Sequence, residues 1–201
     1  EQDVINILIK YAQDSTARKS LVIGIIRTLK NYPTEQSIGI ILSKVNPKTP
    51  SIQTEAVDAL IHIARETPLK EKDIIITKDE LINTARYVYE IIIALSQIED
   101  SNDNQLLRYF LQNEVRKLIP VIMKLGIMDK PETQIETYIQ YVQNNESDKL
   151  SYVIEFFENI FSKYEREIVN SLIDSISIEE KCLVARKRFD KIMTDLNQFL
   201  G

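Results

Sequence analysis

The residues able to do chemistry are few, and each stands alone. His62 is the only histidine and Cys182 the only cysteine. A metal centre takes several ligands, and a hydrolytic triad needs a nucleophile, a base and an acid in line. Helical phase turns His62 away from Val57, Ile61 and Ala64, which makes it a solvated or interface residue. Cys182 lies in "EEKCLVARKR", on the inner edge of a helix, and reads as a buried inert thiol. The four glycines are scattered singly, so no loop can cradle a phosphate. The carboxylate pairs Glu132/Glu136 and Glu179/Glu180 are of the kind that exposed helix faces carry. The sequence therefore predicts no catalytic residue, no metal and no cofactor, and an enzyme is the last reading.

One set of polar side chains does follow a pattern. "KSLVIGIIRTLKNYP" (Lys19 to Pro33) and "TEAVDALIHIARETP" (Thr54 to Pro68) coincide under a shift of 35 residues. Leu21 falls on Ala56, Val22 on Val57, Ile25 on Leu60, Ile26 on Ile61, Leu29 on Ala64 and Pro33 on Pro68. The outward positions match as well, Arg27 with His62 and Lys30 with Arg65. Stacked copies would set these four side by side as a small basic strip suited to an acidic segment or an anionic membrane surface. Contacts to the strip are expected to weaken with salt and to strengthen as His62 protonates below about pH 6.5. A third shift is weaker, with Val57 on Ile92, Ala59 on Ala94, Leu60 on Leu95 and Ile63 on Ile98. It puts Gln97 and Asp100 at the cation positions, so the strip is expected to end after two copies.

The rest of the chain must position these residues. Of its 201 residues 44% are hydrophobic and 27% charged, an ordinary globular mixture. Four glycines and six prolines are too few for a turn-rich β protein. The net charge of −5 disfavours a general nucleic-acid binder, which needs a basic surface for phosphate. A lone cysteine cannot form an internal disulfide and fits a reducing compartment. The longest apolar runs, "LVIGII" and "IIIAL", are too short to span a bilayer. The opening residues are not a secretory leader, and without an initiator Met the sequence is expected to belong to a longer chain.

Helical periodicity runs nearly end to end. Val4, Ile7, Leu8 and Tyr11 give a first apolar stripe, and Val22, Ile25, Ile26 and Leu29 a second. Asn31-Tyr32-Pro33 stops the second helix, and a third runs from about Thr34 to Val45. "NPKTP" separates it from the helix that carries Val57, Leu60, Ile61 and Ala64. Thr67-Pro68 reads as the cap and first turn of the next element. Ile74 to Ile76 fits a short extended piece or a helical turn equally. Thr77-x-x-Glu80 is a capping box that predicts a helix from about Lys78 to Gln97. Leu106 to Leu125 forms another, ended by Gly126, and Pro120 is expected to kink or break it. Pro131 opens a helix to about Asn144, and Asn145 to Phe161 forms the next. Ser162-x-x-Glu165 and Ser177-x-x-Glu180 start the last two, to about Asp174 and Leu200. No linker or low-complexity stretch interrupts residues 1–201, which read as a single domain.

A period in the thirties with two helices per unit marks an α-solenoid, because one helix pair cannot bury its own apolar face. The pair Thr16–Asn31 and Thr49–Thr67, with its Ala59-Leu60 step, resembles a HEAT repeat. Gln53 stands near the place where that pattern usually has an arginine. Further on, "ELINTARYVYEIIIALSQI", "NQLLRYFLQNEVRKLIPVIMKLGIMDKPETQI" and "DKLSYVIEFFENIFSKYEREIVNSLIDSISIEEK" are similar in order and apolar pattern to a known region. It is the HEAT-like region that follows the membrane part of some bacterial ATP/ADP carrier-type, major-facilitator-like transporters. This resemblance covers residues 17–200 and implies a cytoplasmic module tethered through a fused transporter region.

The expected fold is thus an all-α superhelix of the HEAT/armadillo kind. The expected function is that of a non-enzymatic scaffold. Its partner would be a protein or its own fused membrane region, with no nucleic acid and no insertion of this segment into a membrane. The rival is a ligand-sensing helical domain with a small-molecule pocket among Tyr138, Tyr141, Tyr152, Phe156, Phe157, Phe161 and Tyr164. The spacing of those rings fits facing helices, so a shared core is the favoured reading and a peptide groove the minority one.

Overall fold

A computed structural model describes residues 2–128, 134–144 and 146–193 of the chain. Among them the architecture is all-α, with ten α-helices, one 3-10 turn at Asn102–Asn104 and no strand. The helices are α1 (Gln2–Gln13), α2 (Lys19–Leu29), α3 (Glu35–Leu42), α4 (Pro50–Glu66) and α5 (Glu71–Gln97). They continue with α6 (Gln105–Gly126), α7 (Ile135–Gln143), α8 (Ser147–Glu158), α9 (Lys163–Ile173) and α10 (Ile178–Arg188). Among the described residues no helix is long and apolar enough to cross a membrane.

The chain divides into two compact units. The first holds Glu1–Leu81 with Lys124–Glu132. Here α2 packs on α4, α3 touches both, and α1 lies on α2 and α3. The aligned apolar positions are the ones buried: Val22, Ile25, Ile26 and Leu29 on α2, and Ala56, Val57, Leu60, Ile61 and Ala64 on α4. Each large aliphatic side chain taken out of water stabilises by about 1.5–3 kcal/mol, and those of α2 and α4 form the centre of this core. Helix α2 ends at Leu29, four residues before Pro33, and Thr34 then caps α3 by accepting from the Ser37 N–H at 3.1 Å. Pro50 occupies the first turn of α4, where its missing donor is no loss.

The phase of α1 differs from the expected one. Ile5 and Ala12 are buried, while Val4, Ile7 and Tyr11 are exposed. The helix is apolar enough to offer two stripes, and its seat on α2 and α3 selects the one through Ile5. Helix α5 also begins earlier than expected. It starts at Glu71, and Ile74–Ile76 lie inside it as a helical turn. Thr77 is not a cap, since it is buried mid-helix and its hydroxyl donates to the Ile74 carbonyl at 2.7 Å. Glu71 and Asp73 in the first turn favour the helix N-terminus there. Thr67 closes the last turn of α4 rather than opening the next element, and its N–H donates to the Ile63 carbonyl.

The second unit holds Ile82–Met123 with Thr133–Gly201. Helices α7 to α10 form a succession in which each packs on the next: α7 on α8, α8 on α9 and α9 on α10. Both capping boxes are present, with Ser162 and Ser177 accepting from the N–H of Glu165 and Glu180 and receiving those carboxylates on their own N–H. Tyr89 of α5 is buried against this group. Its hydroxyl donates to the Ile168 carbonyl at 2.8 Å and shares a hydrogen bond with Ser171, and its ring lies 5.8 Å from that of Phe189.

Pro120 does not interrupt α6, which runs unbroken from Gln105 to Gly126. The proline removes the donor for the Arg116 carbonyl, but Arg116 is exposed and water can take that place. On the other side of the helix Leu118, Val121, Ile122 and Met123 are buried and hold it. Helix α8 is shorter than expected, and α10 ends at Arg188, well before Leu200. The expected start at Pro131 and the tail from residue 194 lie outside the described residues.

Candidate functional site

The four residues of the basic strip sit on α2 and α4 or just past them, two helices that touch. Their surroundings differ. Arg27, in the last turn of α2, donates from Nε and Nη2 to Glu55 Oε2 of α4 at 2.9 and 2.7 Å. That pair holds the guanidinium more firmly protonated, chiefly through the hydrogen bond. Glu55 lies seven residues before His62, about 10 Å along the helix axis. The long side chain of Arg27 thus turns toward the start of α4. His62 is half-exposed and its Nε2 lies 3.7 Å from Glu66 Oε1 one turn on, a pair that forms only when the imidazole is protonated. Lys30, half-buried, and Arg65, exposed, have no ion-pair partner among the described residues. The free positive charge of this face therefore rests on Lys30 and Arg65.

Nearby, Glu35 at the start of α3 accepts from Lys70 at 2.8 Å and pairs with Lys72. The two ammonium groups, Lys70 first, lower its carboxyl pKa to about 2. Partners 35 residues apart share no local spelling, so the sequence does not reveal this pair.

In the second unit six of the seven aromatic side chains named from the sequence divide into two groups. Phe157 and Phe161 are buried and stacked, with centroids 4.7 Å apart and planes at 9°. Phe156 joins them, 5.2 Å from Phe157 and 4.7 Å from Tyr138. Tyr138, Tyr141 and Tyr152, with Gln134 and Thr137, instead line an open cleft of about 400 Å³ between α7 and α8. The Tyr138 hydroxyl donates to Gln134 Oε1 at 3.1 Å, and the Lys149 ammonium lies 4.6 Å over the Tyr141 ring. Tyr164 stands apart, donating to the Arg188 carbonyl at 3.4 Å.

A second cleft carries charge. It measures about 390 Å³ and is lined by Arg116 and Ile119 of α6, Val142 and Gln143 of α7, Leu172 to Ile176, and Lys181 of α10. No sequence signal marks it, because Arg116 and Lys181 are distant in the chain and come together only as walls of this cleft.

No family model, no curated protein and no solved structure matches the chain. The chemistry of the site residues is therefore the ground for any functional reading. Cys182 is buried, with 6% of its surface exposed. Glu180 is engaged in the cap of α10, which accounts for it as a structural group. Glu132 lies outside the described residues. Among those described, no three of His, Cys, Asp and Glu cluster as metal ligands would.

Proposed function

We propose that the chain is a non-enzymatic interaction module built from HEAT-like helical pairs, which binds a protein partner through the α2–α4 face of its first unit. The observation that carries this reading is the packing of α2 on α4 through the positions that the 35-residue shift aligns. A repeated unit that buries the same positions in each copy is the building rule of an α-α superhelix of the HEAT/armadillo kind. Lys30 and Arg65, cations without a carboxylate partner among the described residues, give that face an affinity for an acidic segment of the partner. Its proposed setting is cytoplasmic, tethered to a transporter-like membrane region, as the similarity of residues 17–200 implies. The negative net charge speaks for a protein partner and against nucleic acid.

The test is cross-linking and capture with the wild-type chain and a Lys30→Glu/Arg65→Glu variant shown by circular dichroism to be folded. Loss of a captured protein in the variant supports the reading, and identical capture overturns it. A second reading, a ligand-sensing domain, is favoured by the open tyrosine-lined cleft of about 400 Å³. Thermal shift against a panel of small metabolites tests it, with Tyr138→Ala/Tyr152→Ala abolishing any genuine shift.

A further inference from the structure

The charged cleft of the second unit belongs to neither reading. We propose that it binds a small aliphatic carboxylate, held by Arg116 and Lys181 at the acid end and by an aliphatic wall along its body.

The polar end is built from two cations with spare donors. The described residues give Arg116 no ion-pair or hydrogen-bond partner, whereas Arg27, Arg108 and Arg188 each have a carboxylate. A guanidinium offers a planar fork that fits a carboxylate in two parallel hydrogen bonds. The Lys181 ammonium makes one hydrogen bond, to the Leu172 carbonyl at 3.1 Å, and has two further N–H groups to give. Its partial burial lowers its pKa, opposed by the charge of Asp174, and an incoming anion would compensate the lost solvation. Asp174 is the one acidic side chain on the cleft wall, and its Oδ1 accepts from the Ser175 N–H at 2.7 Å. Two cations against one carboxylate leave the cleft with a net positive charge.

The apolar end selects the class of anion. Ile119, Val142 and Ile176 are half-exposed on the cleft wall, over buried Leu172 and Ile173. Every apolar side chain lining it is aliphatic, and none offers an aromatic ring on which a base or an arene would stack. A phosphate finds less. Of the amides at the start of α10, that of Glu180 is taken by the Ser177 hydroxyl and that of Ser177 by the Glu180 carboxylate. A neighbouring hollow of about 270 Å³ shares Arg116, Ile176 and Lys181 and adds Ile92, Leu95, Val115 and Ile178, which extends the aliphatic surface beyond the charged end. A volume of about 390 Å³ lies within the ordinary range of small-ligand sites.

The experiment titrates the full chain with octanoate, octanol and inorganic phosphate, followed by amide chemical shifts. The expected result is saturable binding of octanoate, with the shifts confined to residues around 116–119, 142–143 and 172–181. Arg116→Gln, at an exposed position that leaves the fold intact, weakens octanoate about tenfold, the effect of losing a charge-assisted pair. Lys181→Met weakens it similarly. Octanol binding as tightly as octanoate, phosphate competing at equal concentration, or Arg116→Gln without effect would each overturn the proposal. Failure of octanoate leaves the scaffold reading untouched, because that rests on Lys30 and Arg65 in the other unit.

Discussion

Removing one oxygen atom from Tyr89 tests how α5 is fastened to α9. In Tyr89→Phe the ring and its contact with Phe189 remain, and only the hydroxyl is lost. Its hydrogen bonds with the Ile168 carbonyl at 2.8 Å and with Ser171 disappear, and the Ser171 hydroxyl, 3.1 Å from that carbonyl, turns its proton onto it, a net loss of one. No buried group is left without a partner, so the cost at pH 7 is that of one neutral hydrogen bond, about 1 kcal/mol. With a urea slope of about 2 kcal/mol/M the unfolding midpoint falls by about 0.5 M. Burial also raises the Tyr89 pKa from 10.0 to about 12, against a smaller opposing effect of the Ser171 hydrogen bond. Between these values the unfolded chain releases the phenolic proton and the folded chain keeps it. The unfolded state then binds fewer protons, and stability falls as pH rises. The loss reaches about 1.4 kcal/mol at pH 11 and is absent in the phenylalanine variant. Urea titrations of both proteins from pH 7 to 11.5 should therefore show the wild-type advantage shrinking and the two curves crossing near pH 11. A difference that stays constant over that range would refute the buried, neutral hydroxyl.

Leu60, fully buried on α4, should cost about 2–5 kcal/mol when changed to Ala, with hydrogen exchange rising in α2 and α4 together, whereas the exposed Ile75→Ala should stay within about 0.5 kcal/mol. Equal effects at the two positions would contradict the packing of the first unit. Glu35, with a folded pKa of about 2, contributes stability that is fully present above its ordinary pKa of 4.5 and is lost as pH falls through about 2. Carboxyl NMR should find that depressed midpoint, and Lys70→Met with Lys72→Met should return it toward 4.5. Ser177→Ala should cost about 1 kcal/mol by opening the cap of α10, measured as a drop in the denaturation midpoint.

Local chemistry is legible in the sequence, and long-range choices are not. Ser162–Glu165 and Ser177–Glu180 close on themselves within one turn, so their spelling suffices. Thr77–Glu80 has the same spelling, yet Glu71 and Asp73 begin a helix ahead of it and the threonine becomes an interior residue. The α2 and α4 stripes are readable because each is the one apolar face of its helix. On α1 two apolar faces compete, and only the neighbours α2 and α3 decide between Ile5 and Ile7. Pro120 reads as a breaker because the sequence does not show that the Arg116 carbonyl faces a wet side of α6. The candidate sites follow the same division. Arg27 is visible as a surface cation, but Glu55, which neutralises it, is visible only once α2 lies on α4. Arg116 and Lys181 are 65 positions apart and carry no shared signal until the helices are packed.

Cys182 has a consequence for how motion in this protein can be timed. Its sulfur is the sole thiol and is shut inside α10, which packs on α9. A thiol reagent reacts with the thiolate only after that helix has moved aside. The labelling rate of the native chain is then a stopwatch for one event, the separation of α10 from its neighbour, read without any engineered probe. A disulfide between two chains would have to pass through the same opening, so oxidative cross-linking is limited by the breathing of a single helix rather than by encounter.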